Sequence, residues 1–275
     1  MISVLILTLN EEQDLPGCLD SIAWCDDIHI MDSGSTDRTV EIARARGVEV
    51  VVRPFDSFAA QRNASMQLPF RYPWVLMLDA DERPTPELNA EMQCAVAAAP
   101  AAVSAFRIRR RDYLWGTWLR HAQMTPSYIR LLRAGRVHYT RSINEVTQVD
   151  GKIANLQCPF DHLAFSKGIA HWVARHNTYS TREAELIADG DATRHASLRE
   201  ALFGASVQQR RVAQKAIFYR LPLRPVIKWV YLVFLRGAVL DGSAGLMYAT
   251  LISFYEYLIE VKCRELLRRR AGEPL

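Results

Sequence analysis

The sequence predicts an α/β protein in which a mostly parallel sheet is followed by a helical C-terminal region. Three observations carry this. The apolar run Val75-Leu76-Met77-Leu78 ends abruptly in Asp79-Ala80-Asp81, as a fully buried parallel strand does when polar chemistry sits at its carboxyl end. Residues 2–52 alternate strand-like runs with helical periods across short connections, the pattern of β-α-β units with right-handed crossovers. From Ile169 onward the periodicity is helical throughout, which predicts two domains, 1–168 and 169–275.

Ile2 to Leu9 reads as the first strand, ending in Thr8-Leu9-Asn10-Glu11. A helix follows, with Asp14 as its cap, Pro16 in the first turn, and Leu15, Leu19 and Ile22 on one face. Ile28 to Met31 is a second strand that stops at Asp32-Ser33-Gly34-Ser35-Thr36-Asp37. The next helix runs through Val40, Ile42 and Ala43 to a stop at Gly47, and Val48 to Val52 is a third strand. Gln61-Arg62-Asn63 lies in a short helix before the central strand. After that strand Thr85 caps, and Pro86 opens, an alanine-rich helix that continues to about Ala99. Ala105 to Arg111 and Ser127 to Arg133 alternate in strand fashion. Between them Tyr113 to Leu119 is rich in aromatics that suit either a core or the face of a sugar ring.

Open α/β sheets bind ligands at the carboxyl edge of their strands. Here that edge lacks both Gly-x-Gly-x-x-Gly and the Walker Gly-Lys-Ser/Thr pattern. It offers polar groups and carboxylates instead, at Asn10-Glu11, Asp32 and Asp79/Asp81. Carboxylates accept hydrogen bonds from a base N–H and from ribose hydroxyls, but they repel a bare pyrophosphate, so a cation must bridge the two. The combination indicates a nucleotide diphosphate bound through metal.

The net charge of +4 is unevenly spread: from Arg199 onward there are 13 Lys/Arg against 6 Asp/Glu, so this segment carries +7 and the remainder −3. A basic, apolar tail points to an anionic membrane surface, with a helical subdomain packed on the sheet or a dimer interface as the alternative. Nucleic acid is not indicated, because the tail's aromatics interleave with long aliphatics. The apolar stretches Trp229 to Leu235 and Leu246 to Ile259 are too short to span a bilayer, and both suit helices lying in its interface. On the final helix Glu256, Glu260, Arg264 and Arg268 fall at i, i+4 spacing and are expected to form one polar stripe. Five scattered cysteines without a Cys-x-x-Cys pair indicate reduced thiols in a cytoplasm. The N-terminus begins directly with a strand and has no signal-peptide pattern.

Thr8 to Glu11, Asp32 to Asp37, Arg62-Asn63 and Leu78 to Asp81, in that order and spacing, resemble the inverting glycosyltransferases of family 2, which have the Rossmann-like GT-A fold. Arg130-Leu131-Leu132-Arg133, Ser142-Ile143-Asn144-Glu145, His162, His176 to Ser180 and Asp241-Gly242 extend the resemblance over nearly the whole chain. They are similar to the subgroup that adds β-linked glucose to the lipopolysaccharide inner core, which usually has His-Glu where this chain has Asn144-Glu145. The resemblance implies that Thr8, Asn10, Glu11 and Asp32 line the uracil and ribose, with Arg62 near the base or diphosphate. It implies that Asp79 holds ribose or metal, that Asp81 binds Mg²⁺ or Mn²⁺ with His162 completing the site, and that Glu145 is the general base. The implied activity is transfer of a sugar, glucose foremost, from a UDP-sugar to a lipid-anchored saccharide at the cytoplasmic face of the inner membrane. A polyprenyl-phosphate-linked oligosaccharide is the competing acceptor, and a non-catalytic nucleotide-sugar-binding scaffold the competing class.

Overall fold

In the computed structural model four strands, β1 (Ser3–Thr8), β2 (Ile28–Asp32), β3 (Glu49–Val52) and β4 (Trp74–Asp79), lie parallel in the order β3-β2-β1-β4. It describes residues 1–123, 125–140, 146–190, 197–205 and 207–274. Helices α1 (Leu15–Ser21), α2 (Thr39–Ala45) and α3 (Phe58–Ser65) make the crossovers. Beyond β4 the sheet becomes mixed. β5 (Glu82–Pro84), helix α4 (Pro86–Ala98) and β6 (Val103–Leu114) come next in the chain, then β7 (Thr117–Trp118), β8 (Ser127–Arg133), β9 (Val137–Thr140), β10 (Val146–Val149) and β11 (Lys152–His162). The order continues β4-β8-β6-β11-β5. β8 runs antiparallel to both β4 and β6, β11 parallel to β6, and β5 antiparallel to β11. β9 and β10 form a separate antiparallel pair.

The period-two alternation of the strands divides the core into two layers. Val4, Ile6, Leu76 and Leu78 pack with Leu15, Leu19, Leu88 and Met92 of α1 and α4. Leu5, Val75 and Met77 face the other way, against Ala59, Met66, Leu132 and Tyr139. β4 is therefore buried on both faces until Asp79. Capping chemistry sets the helix starts: the Ser57 hydroxyl accepts from Ala60 N–H and the Thr85 hydroxyl from Leu88 N–H, both at 3.2 Å. Asp14 departs from its expected role. It precedes α1 but makes no capping bond; its carboxylate instead accepts from Ser166 Oγ at 2.7 Å and lies 3.7 Å from Arg83.

The chain divides into two compact units, Met1–Tyr113 with Thr125–Ser166, and Leu114–Met124 with Lys167–Leu275. The second contains α5 (Gly168–Ala188), α6 (Leu198–Phe203), α7 (Val207–Phe218), α8 (Arg224–Val230), a π-helical turn (Tyr231–Leu235), a 3-10 turn (Ala238–Asp241) and α9 (Gly242–Arg270). Asp241 fastens the early segment to the late one: its carboxylate accepts from His121 N–H at 2.8 Å and Ala122 N–H at 2.7 Å, and pairs with His121 Nδ1 at 2.7 Å. Gly245 is required where α9 passes the 3-10 turn, because a Cβ there would lie 2.0 Å from the Ala238 carbonyl oxygen.

No single helix among the described residues is long and apolar enough to cross a membrane; Arg224–Leu235 and Ala238–Arg270 meet the length and composition together, bent by 70°. The expected polar stripe on the last helix is only partly present. Glu260 and Arg264 pair at the surface, but Glu256 is 7% exposed and points inward. Of the aromatic segment, Leu114 and Leu119 are core, whereas Trp115 is exposed at a turn with φ of 50°.

Candidate active site

The parallel register sets the polar strand ends side by side: Thr8 lies opposite Asp32, and Leu7 opposite Asp79. Asp32 is wholly buried. One carboxylate oxygen accepts from the Gly34 and Ser35 amides at 2.9 and 2.7 Å, the other from Thr8 Oγ1 at 2.8 Å and from Ser35 Oγ. Those four donors use the four lone-pair directions of a carboxylate, so Asp32 acts on its surroundings by holding the loop in shape. Asn10, in the left-handed region at φ 55°, accepts from Thr36 N–H at 2.8 Å through its side-chain oxygen, while its backbone N–H donates to Ser35 Oγ at 2.8 Å. Glu11 N–H donates to Thr39 Oγ1 at 2.7 Å. The two loops after β1 and β2 thus form one hydrogen-bonded rim.

At the end of β4 a cationic pair meets the first carboxylate of Asp79-Ala80-Asp81. Arg130 Nη2 lies 2.7 Å from Asp79 Oδ2 and 2.5 Å from Glu82 Oε1, and Arg62 Nη2 lies 3.5 Å from Asp79 Oδ1. The Asp79 amide closes the group by donating to Glu82 Oε2 at 3.0 Å. Burial opposes charge on Asp79, but Arg130 and Arg62 outweigh it and hold the carboxyl well below the usual range. Glu82 sits deeper; burial, reinforced by Asp79 and Asp81, outweighs Arg130 and pushes it up to about 7. The Asp79 side chain keeps 38% of its surface, enough to meet a ligand at the edge.

The second carboxylate faces a histidine. The antiparallel pairing of β5 with β11 puts His162 opposite Glu82, and His162 Nε2 lies 3.2 Å from Asp81 Oδ2. Its Nδ1 lies 2.5 Å from Oδ1 of the buried Asp112, which Arg110 Nε also approaches at 3.0 Å. Burial lowers the imidazole pKa, but the bonds to Asp112 and Asp81 prevail and raise it to about 9. A histidine anchored through Nδ1 by a carboxylate, with Nε2 beside a second carboxylate, has the donor set and outer support of a divalent-cation ligand pair. Among the described residues no group of three or more His, Cys, Asp or Glu side chains converges on one point, so a bound cation would draw its remaining ligands from substrate oxygens and water, as Mg²⁺ commonly does.

The structure thus gathers Thr8, Asn10, Glu11, Asp32, Arg62, Asp79, Asp81 and His162 into the first unit. Glu145 lies outside the described residues, between Thr140 and Val146, which pair across β9 and β10. That pair is tied to α3: the Asn63 amide donates to the Tyr139 carbonyl at 2.8 Å, and its oxygen accepts from Tyr139 N–H at 2.7 Å. Sequence reasoning missed Glu82, Asp112 and Arg130 as site residues. The signal was charge inside strand patterns, above all Arg130 between Ile129 and Leu131, since a buried arginine needs carboxylate partners.

The carboxyl edge of this half-parallel sheet therefore gathers acidic and cationic groups, and the family that places them there is a glycosyltransferase family. The chain belongs to glycosyl transferase family 2, whose model matches residues 3–156. It is similar to the lipopolysaccharide core biosynthesis glycosyltransferase LpsC of Rhizobium meliloti, 26% identical over 273 residues that cover 95% of this chain and 91% of the relative. An uncharacterized glycosyltransferase of Rickettsia typhi is also 26% identical, over 96% of this chain and 87% of its own. Among solved structures, Staphylococcus aureus TarS 1–349 aligns over 99% of this chain and 92% of that one at 12% identity and a TM-score of 0.45. Glucosyl-3-phosphoglycerate synthase of Mycobacterium tuberculosis, solved with Mn²⁺, UDP-glucose and phosphoglyceric acid, aligns over 40% of this chain at 25% identity and a TM-score of 0.35; this chain spans 44% of it.

Proposed function

We propose that the protein is an inverting, metal-dependent glycosyltransferase that moves a hexose, glucose foremost, from a UDP-sugar to a lipid-anchored saccharide of the bacterial envelope. The observation that carries this is the paired arrangement at the end of β4, with Asp79 between two arginines and Asp81 against a histidine anchored by Asp112. The similarity to LpsC along nearly the whole chain supports a lipopolysaccharide-core acceptor. The basic helical unit supports work at an anionic membrane surface on the cytoplasmic side.

In this reading the rim from Thr8 to Glu11, held against the Asp32 loop, receives uracil and ribose. Asp79 accepts from a ribose hydroxyl while Arg130 and Arg62 keep it ionised. Arg62 also brings positive charge toward the diphosphate. Asp81 and His162 would hold Mg²⁺ or Mn²⁺, which when bound offsets the charge developing on the leaving nucleoside diphosphate. Glu145 accepts the proton of the acceptor hydroxyl. The acceptor oxygen forms its bond to the anomeric carbon as the bond from that carbon to the diphosphate oxygen breaks, and a single displacement inverts the centre.

UDP release from a panel of UDP-sugars, with a lipopolysaccharide-core acceptor and with Mn²⁺ or chelator, tests this. UDP-glucose is expected to turn over only with metal, and Asp81→Ala to lose metal-dependent tightening of UDP by calorimetry. Equal UDP binding in chelator would overturn the metal assignment; absence of turnover with every UDP-sugar would overturn the donor class.

A further inference from the structure

The second unit has a cavity of about 470 Å³ lined by α7, α8, the π-helical turn and α9, within the size range of ligand sites. Its wall is of two kinds. Phe218, Tyr219, Ile227 and Tyr231 supply apolar and aromatic surface, and Lys215, Lys228 and Glu256 supply charge. Glu256 is 7% exposed, and its Oε2 is buried without a hydrogen-bond partner. Such an atom is costly to leave unsatisfied, and it calls for a ligand that donates. Lys215 is shared with Glu183 at 3.0 Å. Among the described residues Lys228 forms no salt bridge; its ammonium lies 5.7 Å from the centre of the Phe218 ring. Behind the wall, buried Arg224 stacks on Tyr219 at 5.2 Å with its Nη1 unpartnered, so the field in the cavity favours an anion.

Helix α8, which supplies Ile227 and Lys228 to this cavity, also begins an exposed apolar surface. Val226, Val230, Phe234, Leu235, Val239 and Leu240 are between 43% and 78% exposed. An exposed cluster of this kind, carried on one helix and the two turns that follow it, marks an interaction surface, and a lysine on the same helix can lay its stem along apolar surface with the ammonium at headgroup depth.

We propose that this cavity binds the headgroup of a phosphate-bearing amphiphile, with the phosphate at Lys228 and Lys215, a headgroup hydroxyl or ammonium donating to Glu256, and the chains along the apolar surface beside α8. One ligand then serves three features at once: Lys228 and Glu256, which attract one another in the cavity without closing into a salt bridge, a Glu256 Oε2 without a hydrogen-bond donor, and an exposed aliphatic surface beside them. The assignment rests on the reading of the second unit as the lipid-facing part and goes beyond it, since a general attraction of basic helices to lipid needs no cavity.

The test is calorimetry on the full chain with dihexanoyl phosphatidylglycerol kept below its micelle concentration. Saturable one-site binding is expected, weakened about tenfold or more by Lys228→Gln, the loss of one charge-assisted hydrogen bond. Lys228 is part-exposed, so this variant is expected to keep the wild-type melting temperature. Glu256→Gln should shrink the preference for phosphatidylglycerol over phosphatidic acid, which lacks the donating headgroup. Glycerol 3-phosphate and inorganic phosphate should bind far more weakly; equal affinity would mean a small-anion site and overturn the lipid assignment. Sedimentation with phosphatidylglycerol vesicles separates the two levels. Vesicle binding without saturable monomer binding, or monomer binding indifferent to Lys228→Gln, would overturn the cavity assignment alone; absence of both would overturn the membrane reading with it.

Discussion

Arg130→Met removes the cation from the end of β4 while keeping most of the side chain's length. Arg130 is 6% exposed and its Nη2 serves both Asp79 and Glu82, at 2.7 and 2.5 Å. Breaking a buried pair from one side costs roughly 3–5 kcal/mol, because the partner stays buried and charged. The two partners do not contribute equally. The Asp79 side chain is 38% exposed and water screens it, whereas Glu82, 1% exposed and pushed up to about 7, can neutralise by taking up a proton, so the lower end of the range, about 3 kcal/mol, is expected. For a unit of this size that lowers the melting temperature by about 6–12 °C. Urea unfolding at pH 7 in chelator measures it, with Glu82→Gln and the double variant completing a cycle. The double variant should be about as stable as Arg130→Met alone, since Glu82, pushed up to about 7 even beside Arg130, takes up a proton once that cation is gone. UDP affinity should fall in Arg130→Met as well, because Asp79 loses its nearer arginine. A change in stability within about 0.5 kcal/mol, the range of an ordinary surface substitution, would refute the assignment of Arg130 as the counter-charge of the site.

Asp112→Asn leaves His162 without its carboxylate anchor, and Mn²⁺ affinity, titrated by electron paramagnetic resonance, should fall about 10–100-fold; unchanged affinity would remove His162 from the metal site. Glu145→Gln should lower transfer to acceptor by about 10²–10⁴-fold while UDP-sugar affinity is preserved, and a fully active variant would exclude Glu145 as the base. Asp27, at the start of β2, accepts from Ser3 Oγ and from the Arg71 amide at 2.8 Å; burial opposes its charge, but these bonds win and lower its pKa. Its contribution is therefore full above the unfolded value of about 3.9 and lost as pH falls through that value and below. Asp27→Asn should destabilise by about 1–2 kcal/mol at pH 7 and by progressively less below about pH 4, as read by thermal melts across pH.

The parallel half of the sheet was legible because its code is local. Apolar runs with abrupt polar ends, Thr85 before a helix, and Pro86 at its start each act within a few residues, and each appears where the pattern put it. The mixed half was less so. β11 joins β6 in parallel and β5 in antiparallel pairing, and no local signal announces which edge a late strand will take. The site divides the same way. Asp32, Asp79 and Asp81 stand out at the ends of their own strands, whereas Arg130 and Asp112 matter only through partners about 50 residues distant in the chain. Asp14 misled for a related reason. Its capping chemistry is a local preference, and Ser166, 152 residues away, outcompeted it.

The stretch 114–124 belongs to the second unit although residues on both sides of it belong to the first, and Asp241 ties it to the rest of that unit. The helical unit is thus not a tail that one cut can remove. Cleavage after Ser166 would separate Leu119 and Ala122, both at most 2% exposed, from the rest of their unit, and would take away the carboxylate that satisfies the His121 and Ala122 amides. Such a fragment is expected to aggregate for reasons unrelated to catalysis. The same threading bears on inheritance: a single recombination crossover cannot exchange the helical unit between relatives, because its smaller piece is encoded inside the sheet. The two units are therefore bound to change together, and grafting a new helical unit onto this sheet would require replacing 114–124 in the same step.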